Sequence, residues 1–517
     1  MKKAVPQSAE KQNRPGLGIK AFSRKATAMG LALLFGVWIL LYLPGLRTNP
    51  AWYGDEIVSF MTGESLLEGK PYNRAVYATY VSPAWNYPPI FSLFAGIAAK
   101  ITKGDILGPR FLSALIGLTT AASGFLLLRR RFGFLTGLGY GMILLGYLQS
   151  IIHYRWVYPH NLVGLASLGA ACVLLRRSSK KNDLVAGGFL SLGATAHFLT
   201  LHAMAGAVFK RLFKPKSWIL ILAPSAAIWI ILFSVLFWRF GHWVSDDALQ
   251  LADFYRACDA ASGTGGRVFL NLFNFFTIDG FHLGAFLGLI FCLRRRAYGL
   301  SLMAFIILFM IMRNRQNIPV FYYQAMSTLP LLAAAIAVGW IGLTKRFATM
   351  IQRKALIRRV IRSAPIFLGA VMAILNMQHI FSGRLPVRNE PWVVSDMQAY
   401  EHAAIWLNQR TQKKDLVIAY WNLAWLLHCN TADVLMAASW AGYPAGDLFP
   451  RPLSKERFAY PADLALAKFF VVTELDERWA FGQGNVPIFL RNTNLASWPL
   501  VYQSGPIKVF QNPDQNP

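Results

Sequence analysis

Acidic residues are scarce in this chain: 24 Asp and Glu stand against 52 Lys and Arg in 517 residues, a formal net charge of +28. They are scarcest inside the apolar runs. Transporters place ionisable groups near the bilayer midplane and often show repeated halves. The sequence has no internal repeat, and its distinctive acids lie in a loop, which disfavours a transporter or a flippase of an envelope glycolipid. A structural part of an envelope complex is a further alternative. The four cysteines are too few for a disulfide framework. Cys172 and Cys292 fall inside apolar segments; Cys258 and Cys429 fall outside them on one face, where a bridge and two free thiols are both open. No two histidines have H-x-x-x-H spacing, so no zinc site is legible. Nor does a Gly-rich turn follow a strand to cradle the phosphates of a nucleotide.

What the chain has in plenty is apolar surface: 55% of residues are hydrophobic and 14% aromatic, with a mean hydropathy of +0.38. Apolar segments recur along most of its length, the pattern of an α-helical polytopic membrane protein. The cations sit in short clusters between them, such as Arg129-Arg130-Arg131, Arg176-Arg177 and Arg294-Arg295-Arg296. Clusters of this kind set topology and touch membrane lipids, and they exclude nucleic acid as the partner.

Placing every cluster in the cytoplasm threads about 11 transmembrane helices. The expected spans cover about 26–46, 110–128, 134–149, 161–175, 184–198, 202–209, 219–238, 278–293, 298–312, 326–343 and 365–380. The fifth and sixth are short enough to be a re-entrant hairpin. The N-terminus is then cytoplasmic and the C-terminus outside, in a multi-pass protein of the plasma (inner) membrane. Long outer stretches cover about 48–109 and 239–277. The apolar stretch Pro88–Ile101 is expected as a helix lying in the outer interface, opened by Pro88-Pro89.

Past Ile380 the composition turns polar and apolar by alternation, as in a soluble domain. A helix is expected over Ser395–Gln409 behind a Ser-Asp cap. Strands are expected at Asp415–Tyr420 and Lys468–Thr473, with a hairpin over Pro499–Phe510. The chain therefore divides into a transmembrane domain, 1–380, and a small C-terminal extracytoplasmic α/β domain, 381–517.

The most telling residues are Trp52-Tyr53-Gly54-Asp55-Glu56, just past the first span. Two adjacent carboxylates at the outer membrane boundary can serve as a base or hold a divalent cation without the cost of charge in hydrocarbon. The plainer alternative is an acidic pair opening a helix near Ile57. The surrounding loop carries Trp52, Tyr53, Tyr72, Tyr77, Tyr80, Trp85 and Tyr87. Such side chains anchor at interfaces and also stack on sugar rings. Among outer cations, Arg155 and Arg267 lie among aromatics close to span ends.

Three elements together resemble the GT-C membrane glycosyltransferases. They are the Asp-Glu pair after the first span, a Tyr-Pro-Pro helix followed by Gly108-Pro109-Arg110-Phe111-Leu112-Ser113, and Phe321-Tyr322-Tyr323-Gln324-Ala325-Met326 before a late span. The sequence is most similar to glycosyltransferase family 39, with its protein O-mannosyltransferases and lipid A aminoarabinose transferases. The resemblance implies an inverting sugar transfer from a polyprenyl-phosphate donor to a lipid, glycan or protein acceptor on the outer face. It implies Asp55 as catalytic or metal-associated acid, with Glu56 beside it. On that reading Arg155 and Arg267 meet the donor phosphate, and Trp52, Tyr53 and Tyr87 meet sugar or acceptor. Two departures stand out. Asn161 occupies the place of the Asp that follows Arg-Pro-type corners in the family, and no lysine precedes Pro88-Pro89. Both argue against aminoarabinose as the sugar.

Overall fold

The structure, a computed structural model, describes residues 24–70, 78–79, 88–241, 243–246, 249, 266–293, 297–313, 322–350, 355–387, 392–446 and 450–515. Each expected span falls on a helix. Among the described residues, five helices are long and apolar enough to cross a bilayer: Arg24–Tyr42, Leu107–Phe132, Pro215–Phe240, Met326–Thr344 and Val360–Phe381. The number is seven if each of two bent pairs counts as one span. Others are shorter than the roughly 20 residues that a bilayer asks for: Pro159–Leu174 has 16 residues and Thr200–Lys210 has 11.

Two details differ from the expectation. The third segment is a bent pair, Phe134–Gly146 and Leu148–Arg155, meeting at 67°. The end of the expected outer stretch 239–277 is helical, Gly266–Thr277, and turns by 114° into Gly280–Leu293. The two bends meet each other. Tyr147, at the first, donates to Asp279 Oδ2 at 2.8 Å, and Asp279 Oδ1 lies 2.9 Å from His282 Nδ1. The ring of Tyr147 stacks on Phe281 at 3.9 Å. A bend frees backbone groups that need new partners. Asp279 supplies one, accepting from the His282 N–H at 2.9 Å.

Small residues let the helices approach closely, as in membrane proteins generally. A Cβ on Gly63 would stand 1.8 Å from the Ser92 carbonyl oxygen, and one on Gly96 would stand 2.3 Å from the Gly63 carbonyl carbon. The helices Gly54–Leu67 and Pro89–Ile101 therefore lie backbone to backbone. Pro89–Ile101 opens on proline as expected. It buries Phe91, Ser92, Ala95 and Ala99 and exposes Phe94, Ile97 and Ile101 as one apolar stripe.

Between Leu416 and Gln511 the chain forms a five-stranded sheet. Its strands are β1 (Leu416–Ile418), β2 (Asn430–Ala432), β3 (Ala467–Val472), β4 (Leu500–Ser504) and β5 (Ile507–Gln511), in the order β2-β1-β3-β5-β4. Pairs β1–β2 and β1–β3 are parallel; β3–β5 and β4–β5 are antiparallel. The helix Met397–Asn408 is capped by Asp396, which accepts from Gln398 and Ala399 N–H. The strand β2 was not expected, because three residues following a cysteine carry no alternation to read. Cys258, half of the open disulfide question, lies outside the described residues.

The α/β part is joined to the stretch after the first helix by backbone pairing. Tyr53 bridges Val393, with Gly54 N–H donating to Trp392 O at 3.2 Å and Val394 N–H to Trp52 O at 3.0 Å. Thr79 bridges Phe458. Asn49 fastens the end of the helix Ala355–Phe381, donating to His379 O at 3.3 Å and accepting from Leu385 N–H at 2.9 Å. Arg47 adds ion pairs to Asp105 and Glu401, each at 2.8 Å.

Candidate active site

Asp55 and Glu56 occupy the first turn of the helix Gly54–Leu67, where an acid meets the positive end of the helix dipole. Their surroundings differ sharply. Glu56 has no exposed surface, while Asp55 is half-buried. Glu56 Oε1 accepts from Arg110 Nη2 at 2.5 Å and from the Tyr53 N–H at 2.9 Å. Its Oε2 accepts from Arg110 Nε at 3.1 Å and from the Val157 N–H at 3.3 Å. Both oxygens are thus spent on a two-point guanidinium contact and two backbone donors, the strongest pairing a carboxylate can find. The helix-opening alternative holds for Glu56, which closes a capping box on Tyr53.

Arg110 lies in the Gly108-Pro109-Arg110 motif, which by itself points to no role for it. Its Nη1 donates to Leu46 O, Arg47 O and Pro50 O at 3.0, 3.2 and 2.8 Å, and its Nη2 to Ala51 O at 3.4 Å. One fully buried guanidinium therefore gathers the turn after the first helix around Glu56. The corner at 153–161 is drawn into the same knot. Trp156 Nε1 donates to Ala51 O at 2.9 Å, and Ser113 Oγ donates to Trp156 O at 2.5 Å. Asn161 donates to Ser113 Oγ at 2.9 Å and to His153 O at 2.8 Å. A carboxylate at 161 could not donate to that carbonyl, so the departure from the family pattern has a local structural use.

Arg155 is also fully buried. It donates through Nη1 to Leu41 O at 2.8 Å and through Nη2 to Pro44 O at 2.5 Å, carbonyls at the end of the first helix. Its Nε meets no acceptor among the described residues. The backbone of Arg267 lies in the helix Gly266–Thr277, and its side chain lies outside the described residues, as does all of Tyr87. Trp52 is buried, donating to Arg47 O at 3.2 Å and standing edge-on to Trp425 at 5.4 Å. Tyr53 is buried in an aromatic cage of Trp156, Tyr158 and Trp392, at 5.0, 5.2 and 6.3 Å between ring centres.

The α/β part supplies the opposite wall, for which no local signal in the sequence exists. Gly54 faces the short helix Trp421–Ala424: a Cβ there would lie 3.3 Å from Asn422 Oδ1 and 3.7 Å from the Trp421 ring. Two residues before Asn422 stands Tyr420, stacked on Trp421 at 5.3 Å and within electrostatic reach of the acids Asp433 and Asp476. Asp433 accepts from Trp421 Nε1 at 2.5 Å and from the Met436 N–H at 2.7 Å. Burial nevertheless pushes its carboxyl up to about 6. Burial likewise pushes Asp476, held by the Thr473 N–H and hydroxyl, up to about 7. The Tyr420 phenol is raised well above its usual range by burial first, then by the charges of Asp476, Asp55 and Asp433.

For a divalent cation the described residues are a poor fit. Among them no group of three or more His, Cys, Asp or Glu side chains is placed to hold a metal ion, and Glu56 is already saturated by Arg110 and backbone donors.

No protein-family model matches the sequence, and no curated protein matches it. Solved structures do. ArnT from Cupriavidus metallidurans bound to undecaprenyl phosphate matches with a TM-score of 0.57 at 14% identity, over 95% of this chain and 99% of that one. The apo state of the same protein gives 0.57 at 12% identity, over 93% and 97%. The fold is that of the GT-C glycosyltransferases. AglB from Archaeoglobus fulgidus, in complex with an inhibitory peptide and a dolichol-phosphate, follows at 0.49 and 13% identity, over 95% of this chain and 75% of that one. Within the GT-C fold Asp55 and Glu56 follow the first long helix, and the corner with Arg155 packs against them.

Proposed function

We propose that the chain is an inverting glycosyltransferase that moves a sugar from a polyprenyl-phosphate donor to an acceptor hydroxyl on the outer face of the plasma (inner) membrane. The observation that carries this reading is Asp55. It is a half-buried carboxylate at a helix start, on a fold shared with a protein crystallised with undecaprenyl phosphate, while the adjacent Glu56 is wholly engaged by Arg110. Asp55 takes the proton of the acceptor hydroxyl as its oxygen attacks the anomeric carbon. The bond to the phosphate oxygen breaks with its electron pair, and the lipid phosphate departs from the opposite face. Glu56 holds the helix start in place through Arg110. With the Nη atoms of Arg155 tied to carbonyls, the proposal gives the donor phosphate chiefly to Arg267, with Arg155 Nε behind it. Tyr53 and Tyr87 wall the sugar and acceptor, and Trp52 sets their depth. Asp55 acts as a base in this scheme, with no step routed through a cation.

The proposal includes about eleven spans, an N-terminus in the cytoplasm, and a division into a transmembrane domain, 1–380, and an extracytoplasmic domain, 381–517. The test is turnover by purified full-length protein in vesicles containing undecaprenyl-phosphate-linked glucose, mannose, galactose or aminoarabinose, with an envelope lipid extract as acceptor. Transfer from at least one of these, lost in Arg267→Glu, is expected. Transfer from a nucleotide sugar in vesicles free of any lipid carrier would overturn the reading.

A further inference from the structure

Asn422 is the one side chain near Gly54 and Asp55, among the described residues, whose amide is fully buried with neither end satisfied. It has no exposed surface, and both Oδ1 and Nδ2 lack a partner. Buried amides are almost always paired, because an unmade hydrogen bond leaves the desolvation of the group uncompensated. The neighbouring Tyr420 repeats the pattern: it is 1% exposed and its hydroxyl has no partner. Neighbours that could quiet these groups are otherwise occupied, since Trp421 Nε1 goes to Asp433 and the Thr473 hydroxyl goes to Asp476.

The chemistry of the pair is specific. An asparagine offers two donors and an acceptor, and a tyrosine hydroxyl offers one of each. Neither carries charge, so the pair brings no counter-charge to a phosphate. Flat indoles frame them: Trp421 and Trp479 stand 6.2 Å apart, and Trp392 lies 6.4 Å from Trp479. A neutral amide and a phenol among aromatic faces suit a ring bearing hydroxyls. Gly54 brings this wall against the start of the Asp55 helix; any side chain at 54 would enter the space of Asn422.

We propose that Asn422 and Tyr420, from the C-terminal α/β part, form a hydroxyl-binding subsite for the donor's glycosyl group beside Asp55. This rests on the reading of the chain as a glycosyltransferase with a polyprenyl-phosphate donor. The subsite makes the α/β part a reader of the sugar, while the membrane helices hold the lipid.

The test compares binding of bare undecaprenyl phosphate with that of the undecaprenyl-phosphate-linked glucose, mannose, galactose and aminoarabinose. Each is titrated into full-length protein in nanodiscs and followed by tryptophan fluorescence. Wild-type protein is expected to bind at least one sugar-bearing lipid about tenfold or more tightly than the bare lipid. Asn422→Leu, close in shape and free of polar atoms, should erase that preference, and Tyr420→Phe should reduce it. Both should leave bare undecaprenyl phosphate binding and the thermal midpoint unchanged, because neither polar group has a protein partner to lose. A preference retained in Asn422→Leu overturns the subsite while leaving the donor reading intact, as does a wild type that binds bare and sugar-bearing lipids equally. Failure of the wild type to bind any of these lipids overturns the donor reading and the subsite with it.

Discussion

Glu56 and Arg110 form a two-point ion pair in which neither side chain has any exposed surface. The pair is separated by 54 residues of chain, so it fastens the Asp55 helix to the start of the next long helix. Removing one partner would strand a buried charge, which typically costs about 3–5 kcal/mol. Arg110→Met is expected to lower the thermal midpoint of the detergent-solubilised protein sharply. The double variant Glu56→Gln, Arg110→Met should lose less than the sum of the single variants. Additive losses would show that the two side chains do not act as a pair.

Asp55 is expected to behave in the opposite way. Asp55→Asn keeps the volume and the first-turn position, so the thermal midpoint should hold. Transfer should fall by about 10² to 10⁴ for loss of a general base. Near-normal turnover by the purified variant would remove Asp55 from the chemistry.

Two buried acids of the α/β part set a pH dependence. Burial raises Asp433 to about 6 and Asp476 to about 7 in the folded protein, against an ordinary 3.8. The folded state therefore holds protons that the unfolded chain has already released. The stabilisation is complete below about pH 4 and fades as pH rises through 6 and 7. Unfolding of the α/β part should become easier between pH 5 and pH 8, by roughly 2–4 kcal/mol. Asp476→Asn should flatten the profile. A thermal midpoint that climbs from pH 5 to pH 8 would contradict the assignment.

The contact of Gly63 with Gly96 leaves no room for a methyl group. Gly63→Ala is expected to push the helix Pro89–Ile101 away from the Asp55 helix and to destabilise the protein by about 1–3 kcal/mol. The thermal midpoint of the purified variant checks this; an unchanged midpoint would mean that the two helices do not meet at these glycines.

Topology can be read directly. An enzyme reporter that works only outside the cytoplasm should be active when fused after Gly383 and silent after Arg131. The reverse pattern would invert the whole threading.

The helices were legible because apolar length and basic punctuation are local signals, and so was the hairpin β4–β5, with Gly505 at a φ of 52° between its strands. The bends at Tyr147 and Asp279 were not. Apolarity continues through Gly146-Tyr147-Leu148, and only the tertiary contact of Tyr147 with Asp279 reveals the break. Asp55 and Glu56 could be found but not told apart, since the partner that distinguishes them, Arg110, comes from another helix. Asn422 was invisible for the same reason: an Asn after Tyr-Trp in a polar stretch reads as any loop amide until Gly54 is seen beside it.

The zipper between 52–54 and 392–394 has a consequence for how the protein is made. The ribosome delivers Asp55 early, yet the strand that pairs with its loop arrives more than three hundred residues later. Until the helix Ala355–Phe381 has inserted and Leu385 has reached Asn49, the carboxylate sits in an unfinished loop. A chain cut between Phe381 and Val393 would carry all five long apolar helices of the described residues and the acid itself, and still lack the segment that pairs with its loop. The order of synthesis therefore places the pairing of 52–54 with 392–394 after the long apolar helices have been made.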